Sequence, residues 1–168
     1  QAYTIRAYIA EGLQLSGGAK AAFVDYWINN GKIAEMDYPG TGKAPPKSYS
    51  YEFKPTANVK AIRITGRTGD DAATIRIYYG GRNETLDRLN LALGLYAGNG
   101  KIDGISGMPE KLLSLNNATA GGGPIQNFDV GSIVWGCHPY PTSQGQSFGK
   151  IAKYLPSRCR YKHPDMTN

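Results

Sequence analysis

The first thirty residues fix most of what this chain can become. From Tyr3 to Asn29, apolar side chains recur at Ile5, Tyr8, Ile9, Leu13, Leu15, Ala19, Ala22, Phe23, Tyr26 and Trp27, spaced by threes and fours. That period puts them along one side of an α-helix, with Arg6, Glu11, Gln14, Lys20 and Asp25 mostly off the stripe. No proline interrupts the run, and Gly31 after Asn29-Asn30 supplies a left-handed stop. The spacing predicts one continuous helix over residues 3–29. At 1.5 Å per residue it is roughly 40 Å long. That exceeds the core of a single domain of 168 residues, so one end is expected to project; an ordinary but long core helix is the alternative.

Behind the helix, residues 31–58 read as a connecting loop. Pro39-Gly40, Thr41-Gly42 and Pro45-Pro46 break any regular pattern, and alternating Tyr49, Tyr51 and Phe53 allow a short edge strand. Residues 59–65 and 74–79 both alternate apolar with polar side chains, and the short break between them predicts a hairpin. Over 82–98 the period changes. Leu86, Leu89 and Leu93 follow Asn83 as N-cap and precede Gly98, the pattern of a short helix. Residues 111–115 read as a third strand and 132–136 as the fourth. The layout is α+β: one domain over 1–168, with the long helix laid on a four-stranded antiparallel sheet. Its parts are the helix at 1–30, the loop at 31–58, a sheet region at 59–136 with an insertion over 80–110, and a C-terminal loop at 137–159.

The net charge is +6, and residues 130–168 hold five Lys/Arg against the single acid Asp165. A basic end favours anionic partners such as nucleic acid, glycans or lipid head groups; a merely solvated basic surface is the alternative. The only cysteines are Cys137 and Cys159. They are too few for a four-ligand zinc site, and His138 and His163 lie at the wrong spacing for a finger. A disulfide or two free thiols remain; a disulfide would close a loop worth roughly 3 kcal/mol in the chain-entropy picture and imply an oxidising compartment.

Motifs for catalysis fail one by one. Gly40-Thr41-Gly42-Lys43 lacks the upstream glycine of a phosphate loop and continues with Ala44 instead of Ser or Thr. No Gly-x-Ser-x-Gly elbow occurs, and a triad would rest on His138 or His163 alone. Asn83-Glu84-Thr85 and Asn117-Ala118-Thr119 fit the N-glycosylation pattern, and Asp70-Asp71 reads as a solvated hairpin tip. No enzyme, metal site or cofactor is expected.

Two stretches resemble the type IV pilins, subclass IVa. The run Ala10-Glu11-Gly12-Leu13-Gln14-Leu15-Ser16-Gly17-Gly18-Ala19-Lys20-Ala21-Ala22 is similar to the C-terminal half of the pilin spine helix. Ser132-Ile133-Val134-Trp135-Gly136-Cys137, with Tyr154-Leu155-Pro156-Ser157-Arg158-Cys159-Arg160, is similar to the family's last strand and the end of its disulfide-bounded loop. Family members begin with an apolar stretch carrying a methylated Phe and an early Glu. Neither stands in the chain as given, which is therefore expected to be a soluble form lacking the hydrophobic half of the spine helix.

The resemblance implies a structural subunit that polymerises into a filament on a bacterial surface, serving adhesion, twitching motility and DNA uptake. Its partners would be further copies of itself and an assembly machinery in the inner membrane, where the full-length form would sit before assembly. A small-molecule substrate is not implied. The helix face at Ile5, Tyr8, Ile9 and Leu13 would serve assembly, and Ile5, Tyr8 and Ile9 are expected to be unusually exposed. The resemblance also implies a Cys137–Cys159 disulfide closing the C-terminal loop beside Trp135. Within that loop His138, Tyr140, Phe148, Lys150 and Tyr154 are candidates for receptor binding, to host glycans or DNA. The alternatives are a receptor-binding module acting through 137–159 and a pseudopilin of a type II secretion system.

Overall fold

Helix α1 runs unbroken from Ala2 to Asn30 in a computed structural model that describes residues 2–66, 73–97, 133–140 and 147–160. It stops where the sequence predicts. Gly31 takes φ 66°, and its N–H donates to the Trp27 carbonyl at 2.8 Å. The remaining elements are β1 (Val59–Gly66), β2 (Ala73–Tyr79), α2 (Glu84–Asp87), β3 (Asn90–Ala97), β4 (Ile133–Pro139) and α3 (Phe148–Ile151), followed by 3₁₀ turns at Ala152–Tyr154 and Ser157–Cys159. The four strands pair antiparallel in the order β1-β2-β3-β4. This is the expected α+β layout.

One face of the sheet is the floor on which α1 lies. Ile62, Ile64, Ile75, Ile77, Tyr79, Leu91, Leu93 and Cys137 alternate along their strands and are buried with the helix stripe in one core. Val59 joins them because a register shift between Val59 and Ala61 lets two residues three apart face inward together. Phe23 knits the layers, its ring 5.6 Å from that of Tyr49 and 5.9 Å, edge-on, from Trp135. Such pairs add about 0.5–1.5 kcal/mol each beyond area burial.

Helix and sheet approach closely at Gly12. A Cβ there would overlap the ring of Tyr79, whose hydroxyl donates to the Ile9 carbonyl at 2.6 Å. Glycine thus lets the tyrosine ring lie against the helix backbone.

Four expectations need correcting. Residues 82–98 are not one helix. Asn83 does cap, accepting the Thr85 N–H at 2.9 Å, but helix α2 ends at Asp87 and β3 begins at Asn90. Leu86, Leu89 and Leu93 fit a period near 3.6, but Leu89, Leu91 and Leu93 also alternate, and pairing to β2 and β4 selects the strand. So 80–110 is no simple insertion: it supplies a central strand, while the strand expected at 111–115 lies outside the described residues.

Second, neither end of α1 projects as an apolar rod, because buried residues run from Ile5 to Trp27. Third, Ile5 and Ile9 are 4% and 1% exposed, not uncovered, and Tyr8 is half-buried. The C-terminal turn Ala152–Tyr154 packs on α1, and that partner is remote in sequence. Fourth, the 31–58 segment is core as much as connection: Tyr38, Tyr49 and Phe53 are buried, and only the single bridge Gly42–Phe53 stands where a short strand was expected. Tyr38 exchanges backbone hydrogen bonds with Ile64 at 2.9 and 3.3 Å, and the Gly40 carbonyl accepts from Ile62 at 3.0 Å. Gly40 sits at φ 121°, where a Cβ would strike Ala61 and Arg63.

Two glycines of α1 should therefore respond oppositely to alanine. Gly12→Ala gains helix propensity of about 0.5–1 kcal/mol but must displace the Tyr79 ring, an overpacking cost of typically 1–3 kcal/mol. Net destabilisation in urea unfolding is expected. Gly17 is exposed with nothing near it, so Gly17→Ala should stabilise by about 0.5–1 kcal/mol.

A second expectation concerns alkali. Burial pushes the Tyr79 hydroxyl far above the usual tyrosine range, with Glu11 adding to the effect. Burial likewise pushes Tyr49 and Tyr51 up to about 12. The fold favours the neutral phenols, so their contribution is complete below the unfolded value of about 10 and is lost as pH rises through the folded values. Stability should hold to about pH 10 and then fall, with tyrosinate absorbance appearing together with unfolding. Tyr79→Phe should make that fall shallower and cost about 1 kcal/mol at neutral pH for the lost hydrogen bond.

Candidate functional site

Two regions concern function: the C-terminal closure and the surface of α1. The closure is built on β4, where Cys137 faces inward opposite Leu93 and is bonded to Cys159, with Cα atoms 4.6 Å apart. Both cysteines are buried, as are Ile151 and Leu155. The Ser157–Cys159 turn is thus pinned to the strand as expected. The Arg160 Nε then donates back to the Leu155 carbonyl at 2.9 Å.

The same segment lies along α1 and is tied to it by a hydrogen bond. Arg6 Nη2 donates to the Lys153 carbonyl at 3.1 Å. Farther along the helix, burial first and the nearby Arg158 second hold the Lys20 ammonium below its usual range. Arg6 and Lys20 are fourteen residues apart in sequence, so they lie on one side of the helix, about 21 Å apart. With Lys150, Lys153, Arg158 and Arg160 they form a basic edge. None of the six enters an ion pair among the described residues, where the pairs are Lys47–Glu35 at 3.1 Å and Lys60–Asp87 at 2.6 Å. Four of the six come from the C-terminal segment 148–160.

The five receptor candidates fall into two groups. His138 and Tyr140 belong to the far end of β4, with ring centroids 6.4 Å apart and the Arg76 guanidinium 3.9 Å over the Tyr140 ring. Phe148 and Lys150 sit on α3, and Tyr154 ends the following turn beneath the Lys153 ammonium at 5.1 Å. Lys150 is exposed and the other four are half-buried. Residues 141–146 between the groups lie outside the described ones.

On α1, Ile5, Ile9 and Leu13 are taken up by the core, while Tyr8 lines a cleft of about 550 Å³ with Thr4, Asn58, Arg82, Asn83 and Leu86. The opposite side is uncovered. Ala7, Ala10, Gln14, Gly17, Ala21 and Ile28 are exposed there, recurring by threes, fours and seven along one line of the helix. The apolar stripe marks the side that the core takes up; the small side chains between its members mark the exposed one. Of the glycosylation-type asparagines, Asn83 is engaged as the α2 cap and Asn117 lies outside the described residues.

Set against known proteins, residues 5–160 match the profile of the pilin family of bacterial filaments. The chain is also similar to two proteins of Neisseria gonorrhoeae, each described as a type IV major pilin protein PilE1. One is 24% identical over 161 residues, covering 95% of this chain and 72% of that protein. The other is 26% identical over 109 residues, covering 65% of this chain and 61% of that protein. No solved structure matches.

Breaking the closure has a defined consequence. Reduction, or Cys159→Ser, should cost about 2–5 kcal/mol, the usual loss for a native disulfide in a small secreted domain. Hydrogen exchange should rise more in 148–160 than in α1, because the helix keeps its own contacts with the sheet.

Proposed function

The chain belongs to the pilin family of bacterial filament proteins, and on that premise we propose how it serves its filament. It is a structural subunit of a pilus, and its assembling element is helix α1. The observation that carries this reading is the helix's two-sidedness. One side, from Ile5 to Trp27, is sealed into the head; the other presents the uncovered line of Ala7, Ala10, Gln14, Gly17, Ala21 and Ile28. Small side chains let the backbone of a neighbouring helix approach closely. In this reading Ile5, Ile9 and Leu13 brace the helix within the head, and the opposite side meets further copies of the chain.

The filament's tasks in this proposal are surface adhesion, twitching motility and DNA uptake, with subunits drawn from the inner membrane by an assembly machinery. The C-terminal closure and its basic edge form the surface offered to acidic partners such as host glycans or DNA. No helix among the described residues is long and apolar enough to cross a membrane.

The assembly reading is tested on the uncovered line. Ala10→Glu and Ala21→Glu replace exposed side chains and should leave unfolding free energy within about 0.5 kcal/mol of the native value. Electron microscopy of the producing bacterium should then show few or no filaments. Normal filament number with both variants would sink this assignment of the assembly side.

A further inference from the structure

The outward face of the sheet carries an arrangement that filament assembly does not require. Arg63 of β1 stands directly opposite Arg76 of β2, and the row continues through Ala92 to His138 on β4. Like charges directly opposed on antiparallel strands repel. An acid nearby would relieve them, yet the outward positions around the pair are Ala61, Thr65, Thr74, Tyr78, Asn90 and Ala92. Neither arginine enters an ion pair among the described residues. The Nε of each is buried without a hydrogen-bond partner, which costs stability in an unliganded protein.

Both guanidiniums are nevertheless held in place. Arg76 stacks 3.9 Å over the Tyr140 ring, and Arg63 Nη1 makes a long contact of 3.4 Å to the Tyr78 hydroxyl. Arginine stems often shield a sheet with their methylene groups. Shielding accounts for the aliphatic parts of these side chains, and not for two fixed cations side by side with no acid paired to either among the described residues.

We infer that Arg63 and Arg76 form an oxyanion site on the outer sheet face, and that its ligand is a phosphate group. A carboxylate brings two oxygens and one charge, which satisfies one guanidinium fork. A phosphate monoester brings three terminal oxygens and up to two charges, so it can meet both forks and neutralise both cations. The Tyr78 hydroxyl, which accepts from Arg63, keeps its own proton for a further oxygen. The site rests on no part of the assembly reading, and its failure would leave that reading intact.

The test follows the arginine Nε–Hε signals of the whole chain by nuclear magnetic resonance while inorganic phosphate replaces chloride at constant ionic strength. Signals of Arg63 and Arg76 should move together and saturate in the millimolar range, while that of Arg82 stays put. Arg76→Gln should weaken the response of Arg63 about tenfold, the loss of one charge-assisted contact. Arg76→Lys, which keeps the charge without the fork, should fall between. Acetate should move neither signal to saturation.

A short single-stranded oligonucleotide that competes for the same signals would assign a phosphodiester as the source. Its failure beside saturation by phosphate would assign a free or terminal phosphate; either result supports the site. Non-saturating shifts common to all arginines, an Arg76→Gln response equal to the native one, or equal binding of acetate would overturn it. The titration of the unaltered chain decides the matter even where a variant does not fold.

Discussion

The structure depends on a tyrosine meeting a helix where the helix has no side chain. Tyr79 projects from the end of β2 into the gap above Gly12, and its hydroxyl bonds the Ile9 carbonyl. Any larger residue at position 12 would have to displace the Tyr79 ring from its place against the helix backbone. Burial in turn keeps the phenol neutral, so the hydrogen bond is made by an uncharged donor with little competition from water.

Around that contact the chain spends its aromatic residues on closing the sides of the core. Tyr38, Tyr49 and Phe53 come from a segment rich in proline and glycine, yet all three are buried. The Tyr38 hydroxyl accepts the Phe53 N–H at 2.8 Å and the Tyr49 hydroxyl accepts the Ala34 N–H at 3.3 Å, so the loop's polar backbone is satisfied by its own buried rings. The far side is closed by Ile151, Leu155 and the Cys137–Cys159 bridge. The helix is therefore gripped along one side for nearly its whole length.

Much of this was legible in the sequence, for identifiable reasons. The length of α1 and its stop at Gly31 followed from an uninterrupted stripe and a residue free to take positive φ. The β1–β2 hairpin followed from two alternating runs, and the family resemblance implied the cysteine pairing. The third strand was hidden because leucines at 86, 89 and 93 satisfy the helical period, while the deciding alternation of 89, 91 and 93 needs partners on both sides to matter. The burial of Ile5 and Ile9 was hidden for a different reason: the partners of this end of the helix are remote in sequence, Tyr79 bonding the Ile9 carbonyl and Lys153 accepting from Arg6, and periodicity says nothing of such distant contacts. The opposed Arg63 and Arg76 could be suspected from the hairpin, since both occupy polar positions of alternating runs, but only the register places them face to face.

The bridge of Tyr38 to Ile64 and the Gly40 carbonyl on Ile62 have a consequence for a chain of a filament-forming family. β1 is an edge strand, and a bare edge is a template on which any other chain can add a strand. Here the backbone from Tyr38 to Gly40 already occupies part of it, and the approach is close enough that only glycine fits at position 40. The sheet is thereby denied runaway growth by strand addition at this edge, the route that leads to cross-β aggregates. A filament subunit needs such a blocked edge as much as it needs an open surface, because it keeps association to the surfaces meant for it.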